Sequence, residues 1–154
     1  MVVSRDYLTI KIWDLRQTQK PQSTLLVTDY LERRLCDLYV SENIFDKFDV
    51  AVSPDGSHIL TGAYNGSFHV MDVEGKRNTT VQAEFKDKRG RNVGEMKENA
   101  NRRLTTHLSN QGELNLLNKI KNCAWHPFEN SFAVTQHNLF FLYSEKRHSP
   151  ANEA

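Results

Sequence analysis

Two stretches of the 154-residue chain repeat one another, and this repetition narrows the possible folds more than any other feature of the sequence. Val50-Ala51-Val52-Ser53-Pro54-Asp55-Gly56-Ser57 matches Cys123-Ala124-Trp125-His126-Pro127-Phe128-Glu129-Asn130 at a constant separation of 73 positions, with the two prolines aligned. Ile59-Leu60-Thr61-Gly62 then matches Phe132-Ala133-Val134-Thr135, and Gly66-Ser67-Phe68-His69-Val70-Met71 matches Asn138-Leu139-Phe140-Phe141-Leu142-Tyr143. A unit of strand, proline-bearing turn, strand, hairpin and strand cannot bury both of its faces alone. It must stack on a copy of itself.

The first copy reads as four short strands over 48–52, 59–64, 67–72 and 79–83, with Asn65-Gly66 as a two-residue hairpin signal between the second and third. Upstream, Leu8-Thr9-Ile10-Lys11-Ile12-Trp13-Asp14 alternates apolar and polar residues with a period of two, and Ser23-Thr24-Leu25-Leu26-Val27 supplies an outer neighbour. Between them and the first copy, the spacing of Tyr30, Leu31, Leu35, Leu38 and Tyr39 predicts a short helical segment, with Glu32, Arg33 and Arg34 on its wet side. The chain therefore divides into the end of one blade (1–27), a loop with a short helical segment (28–47), a full blade (48–84), a polar insert expected to be flexible (85–118), a last blade of three strands (119–144) and a polar tail (145–154).

The fold class expected is all-β: a partial β-propeller of about two and a half blades with a long loop insert. Repeats of this kind occupy about 40 to 45 residues and close in rings of roughly four to eight. This length cannot close a ring, and the first and last strands would offer unpaired backbone edges unless another polypeptide completes them.

Composition excludes several function classes. With 38% hydrophobic and 25% charged residues and a formal charge of +1, the chain has the profile of a soluble globular protein without a whole-domain basic field, so no nucleic-acid partner is expected. No run approaches the ~20 apolar residues of a spanning helix, and the N-terminus lacks the apolar stretch of a signal peptide. No membrane partner is expected, and the compartment expected is the cytosol, with the nucleus also open to it. Cys36 and Cys123 are far apart and form no Cys-x-x-Cys pair, so both read as buried thiols. No cofactor, metal or catalytic group is indicated.

Ser4-Arg5-Asp6-Tyr7-Leu8-Thr9-Ile10-Lys11-Ile12-Trp13-Asp14-Leu15 resembles the WD-repeat regulatory B subunit, 55-kDa class, of protein phosphatase 2A. The likeness continues in order through Tyr30-Leu31, Leu35-Cys36-Asp37-Leu38-Tyr39, Asn43-Ile44-Phe45-Asp46-Lys47-Phe48, Thr61-Gly62-Ala63-Tyr64-Asn65 and Ala124-Trp125-His126-Pro127. It implies a seven-bladed ring in the complete family member, of which this is about the last third. It further implies a regulator, not an enzyme, whose partners are the phosphatase scaffold and catalytic subunits and phosphoprotein substrates. The match is poor through Glu84 to Arg103 and ends beyond Tyr143, so no role is carried over to the insert or the tail.

By the same resemblance, Tyr39, Phe45 and Lys47 stand where the family grips substrates: an aromatic pair and a cation that would take a short helical or basic-flanked segment. The plainer alternative is that the two rings cover the inter-blade core and Lys47 is merely solvated. The two stand open for Phe45 and Lys47, and packing is favoured for Tyr39. Trp13 and Trp125 occupy repeated strand positions and read as core, and His126 before Pro127 reads as a turn residue. Cys123 has no histidine in a nucleophile motif. Asn65-Gly66-Ser67 and Asn78-Thr79-Thr80 fit the glycosylation sequon but read as turn and strand, and Lys86, Lys88, Arg89 and Arg91 read as a solvated loop. The competing functions are a truncated, non-functional propeller paralogue and a generic WD-repeat interaction scaffold. A hydrolase has no support in the residues.

Overall fold

The computed structural model describes residues 1–83 and 114–144, and these hold ten strands in three antiparallel sheets. The first sheet contains β1 (Val2–Arg5), β2 (Thr9–Trp13) and β3 (Ser23–Leu26) in that order. A 3-10 turn (Asp29–Arg34), the helix α1 (Leu35–Val40) and a second 3-10 turn (Asn43–Phe45) lead into the second sheet. That sheet runs β4 (Val50–Val52), β5 (His58–Gly62), β6 (Ser67–Asp72), β7 (Asn78–Gln82). The third is built from β8 (Ile120–Trp125), β9 (Ser131–Gln136) and β10 (Leu139–Ser144), with β9 in the middle. The all-β reading is borne out.

The repeat in sequence is a repeat in hydrogen-bonding register. Val52 faces Ile59 and Ala51 faces Leu60 across the first turn, while Trp125 faces Phe132 and Ala124 faces Ala133 across the second. Asn65 and Gly66 take positive φ values of 59° and 64°, the left-handed pair that a tight hairpin needs to match the twist of its strands. β1 had no counterpart among the expected strands: Val2–Arg5 is short, and Ser4 and Arg5 interrupt its apolar character. It forms because β2 offers it a complete edge, with Val3 opposite Ile12 and Arg5 opposite Ile10.

Alternation along β5 explains why the sheets stack. Ile59 points to one face, where it joins Ile10, Ile12, Val27 and Met71 against the first sheet. Leu60 points to the other, where it joins Phe68, Val81, Ile120, Phe132 and Val134 against the third. Both residues are fully buried, so the middle sheet is apolar on both faces, as a blade between two neighbours must be. Three sheets packed face on face in chain order make the wedges of a partial β-propeller. Among the described residues, β1 and β10 each have a single strand neighbour.

The sequence reading differs from the structure at several residues. Cys36 is exposed, because it lies on α1 between the inward Leu35 and Leu38 and faces away from them; only Cys123 is sheltered. Trp13 and Trp125 are half-buried: the Trp13 indole donates to Ser4 Oγ at 2.8 Å, and the Trp125 ring packs against Phe132 at 5.1 Å. The polar insert read at 85–118 falls mostly on residues 84–113, outside the described residues, as do Lys86, Lys88, Arg89 and Arg91 and the tail at 145–154. Of its end, Leu114 and Leu116 pack on the body.

Candidate functional site

The segment joining the first two sheets carries the residues singled out in the sequence. Its inward side is fixed by Leu31 and Leu38, which bury themselves with Tyr64, in the β5–β6 turn, beneath Tyr7, Leu8, Ile44 and Phe48. Its entry is tied down by backbone bonds from Val27 and Thr28 to Leu8 O, and by the Thr28 hydroxyl, which donates to Tyr7 O at 2.6 Å. Helix α1 then ends: Ser41 N donates to Asp37 O at 3.0 Å, and Glu42 adopts φ 61°, reversing the chain into the 3-10 turn.

That reversal brings Tyr39 and Phe45 together. Their ring centroids lie 5.9 Å apart at 56°, within the range of favourable aromatic pairs, yet Tyr39 is 64% and Phe45 66% exposed. The favoured packing role of Tyr39 is therefore not what the structure holds: its neighbour Leu38 takes the core position, and helical geometry turns Tyr39 outward beside the equally exposed Val40. Lys47 is exposed as well.

Beneath this surface lies a charged network that the sequence did not suggest. Asp46, between Phe45 and Lys47, turns inward, with a side chain only 8% exposed. Lys119 Nζ donates to both its oxygens at 2.9 and 2.7 Å, and Lys121 Nζ approaches Oδ1 at 2.9 Å. The Tyr64 hydroxyl donates to Asp46 Oδ2 at 2.9 Å, which leaves it to accept from the Tyr7 hydroxyl, also at 2.9 Å. Burial pushes the Asp46 carboxyl upward, but the bonds from Lys119, Lys121 and Tyr64 outweigh it and hold the group below its ordinary range. Burial, with Tyr7 and Asp46 close by, pushes the Tyr64 phenol up, so it remains a neutral donor.

Arg5 reaches the same region from β1. Its guanidinium lies 4.6 Å from the Phe48 ring centroid and donates to Gly62 O at 2.6 Å and to Thr61 Oγ1. Burial lowers it to about 10, with no effect on its charge at neutral pH. Cys123 is shielded on the other side, and burial pushes its thiol up to about 12. His126 serves its turn: Nδ1 accepts from the backbone N–H groups of Phe128 and Glu129, at 3.3 and 3.0 Å. Asn65 is likewise a turn residue, its side-chain oxygen accepting from Asn115 N at 2.7 Å. Among the described residues no three His, Cys, Asp or Glu side chains are grouped to hold a metal ion, and no helix is long and apolar enough to cross a membrane.

Fold and surface together define a partial β-propeller that presents an exposed aromatic loop. No family model matches the chain. It is 37% identical over 150 residues, 96% of its length, to the gamma isoform of the 55 kDa regulatory B subunit of serine/threonine-protein phosphatase 2A from Homo sapiens, and equally so to that from Rattus norvegicus. It is 34% identical over 148 residues to the serine/threonine-protein phosphatase 2A regulatory subunit phr2AB of Dictyostelium discoideum. The chain is thus a relative of the 55 kDa regulatory B subunits of protein phosphatase 2A, as its motifs suggested, and it spans about a third of their length.

Proposed function

We propose that the chain contributes to a regulatory subunit of protein phosphatase 2A that binds the scaffold and catalytic subunits and selects phosphoprotein substrates, with no catalytic chemistry of its own. Tyr39, Phe45 and Lys47 are the substrate contacts in this reading, and the cytosol, with access to the nucleus, is where it acts. One observation carries it above the others: two large aromatic rings stand paired and exposed on a loop whose underside is anchored. Unpartnered apolar rings on a rigid base suit protein recognition, because they offer contact area without a large ordering cost on binding. The names of the relatives support a regulatory role, and no residue described calls for catalysis.

The test is co-purification of the chain with the scaffold and catalytic subunits, followed by dephosphorylation of a bound phosphoprotein. Phe45→Ala and Lys47→Ala should leave assembly intact and slow that dephosphorylation. Unchanged turnover in both variants removes the two residues from the site.

A second reading is a propeller paralogue that forms no holoenzyme. The exposed Phe140 and Leu142 of β10 favour it, since an uncovered apolar face leads to self-association in place of assembly. Soluble chain that fails to co-purify with either partner would select it.

A further inference from the structure

We infer that Asp46 is the positioning residue of the Tyr39, Phe45 and Lys47 surface, setting how the loop is presented through Lys119 and Lys121 of the third sheet. The inference rests on reading that surface as a contact site.

Asp46 separates Phe45 from Lys47 in sequence, and its backbone N–H closes the last 3-10 turn by donating to Asn43 O at 3.0 Å. Its inward direction therefore dictates that its two neighbours project elsewhere. Its partners come from outside the loop: Lys119 at the start of β8, Lys121 within β8, and Tyr64 after β5. Through Tyr64 the network also reaches Tyr7, in the β1–β2 turn. One carboxylate thus joins all three sheets at the base of the aromatic loop. Without its charge, Lys119 and Lys121 would face each other across a neutral acceptor, and the turn would lose its ionic link to the third sheet, leaving only the Asp49 bonds to Lys121 O and Asn122 further along the chain. The other ties of the turn, Ile44 packed on the Leu31, Leu38 and Tyr64 cluster and the Asn43 carbonyl 3.0 Å from the Tyr64 hydroxyl, join it to the first two sheets and leave the charged link to the third sheet to Asp46.

The experiment uses the full chain with a fluorine label on the Phe45 ring. Asp46→Asn should move the fluorine resonance to its unfolded-chain position while the sheets still unfold cooperatively, and should weaken binding of a fluorescein-labelled amphipathic peptide with arginine flanks about tenfold, the scale on which contacting residues couple. Exchanging the charges, Asp46→Lys with Lys119→Asp, should restore the resonance in part. An unmoved resonance in Asp46→Asn overturns the inference. Where that variant does not fold, a charge exchange that folds without restoring the resonance, or that fails to fold as well, overturns it equally. Phe45→Ala with undiminished peptide binding would sink the contact-surface reading alone, because the fluorine signal reports the positioning separately.

Discussion

Gly62 and Ile120 meet backbone to backbone: a methyl group added at Gly62 would stand 2.8 Å from the Ile120 carbonyl carbon and closer still to its oxygen. Ile120 N–H in turn donates to Ala63 O at 3.0 Å, so the end of β5 and the start of β8 are joined directly across two sheets. Only a residue without Cβ allows that approach.

Gly62→Ala should therefore destabilise the chain by about 1–3 kcal/mol, the usual range for forcing an extra methylene into packed structure, although glycine to alanine in a strand is ordinarily favourable. Urea unfolding measures it. The same change at Gly56, whose Cβ would meet nothing, isolates the strain of its φ of 72° from any steric clash.

His69 sets a pH dependence. Buried on β6 beside Thr80, whose hydroxyl lies 3.0 Å from Nδ1, its imidazole is lowered from 6.5 to about 4, first by burial and then by Arg5. A base whose folded pKa is depressed binds its proton more readily when unfolded. The stability it contributes is complete above pH 6.5, declines as the pH falls from there to about 4, and is lost below. The loss across that window is about 3 kcal/mol at 1.36 kcal/mol per unit. Unfolding free energies of the chain and of His69→Gln, measured across the window, should diverge with this slope.

The two thiols should separate cleanly. Cys36 is exposed on α1, whereas burial holds the Cys123 thiol up at about 12. At neutral pH a thiol reagent should label one site per folded chain, mapped to Cys36 by mass spectrometry, and the second only after denaturation.

β10 carries Phe140 and Leu142 at 68% and 62% exposure beside an edge with no strand neighbour among the described residues. Leu142→Lys should reduce self-association of the isolated chain without lowering its stability by more than about 0.5 kcal/mol, the usual limit for an exposed position. Sedimentation or light scattering at several concentrations gives the comparison.

Tyr64→Phe should cost about 1–3 kcal/mol, because it removes a donor from the buried Asp46 and leaves the Tyr7 hydroxyl without its acceptor. A double mutant with Asp46→Asn should show a smaller total loss than the sum of the single changes.

What the residues determined by themselves was local. Period-two alternation marks β2, Asn65-Gly66 dictates its hairpin through two left-handed residues, and the aligned Pro54 and Pro127 foretell equal registers. All of these act between neighbours in the chain, so a sequence pattern can encode them. The exposure of Tyr39 and Cys36 was decided by which face of α1 met Tyr64, and Asp46 acquired its role from lysines 73 and 75 positions away, the distances from 46 to 119 and 121. Neither follows from spacing, because the stacking of sheets brings those groups together, and Asp46 is an ordinary polar residue until it does.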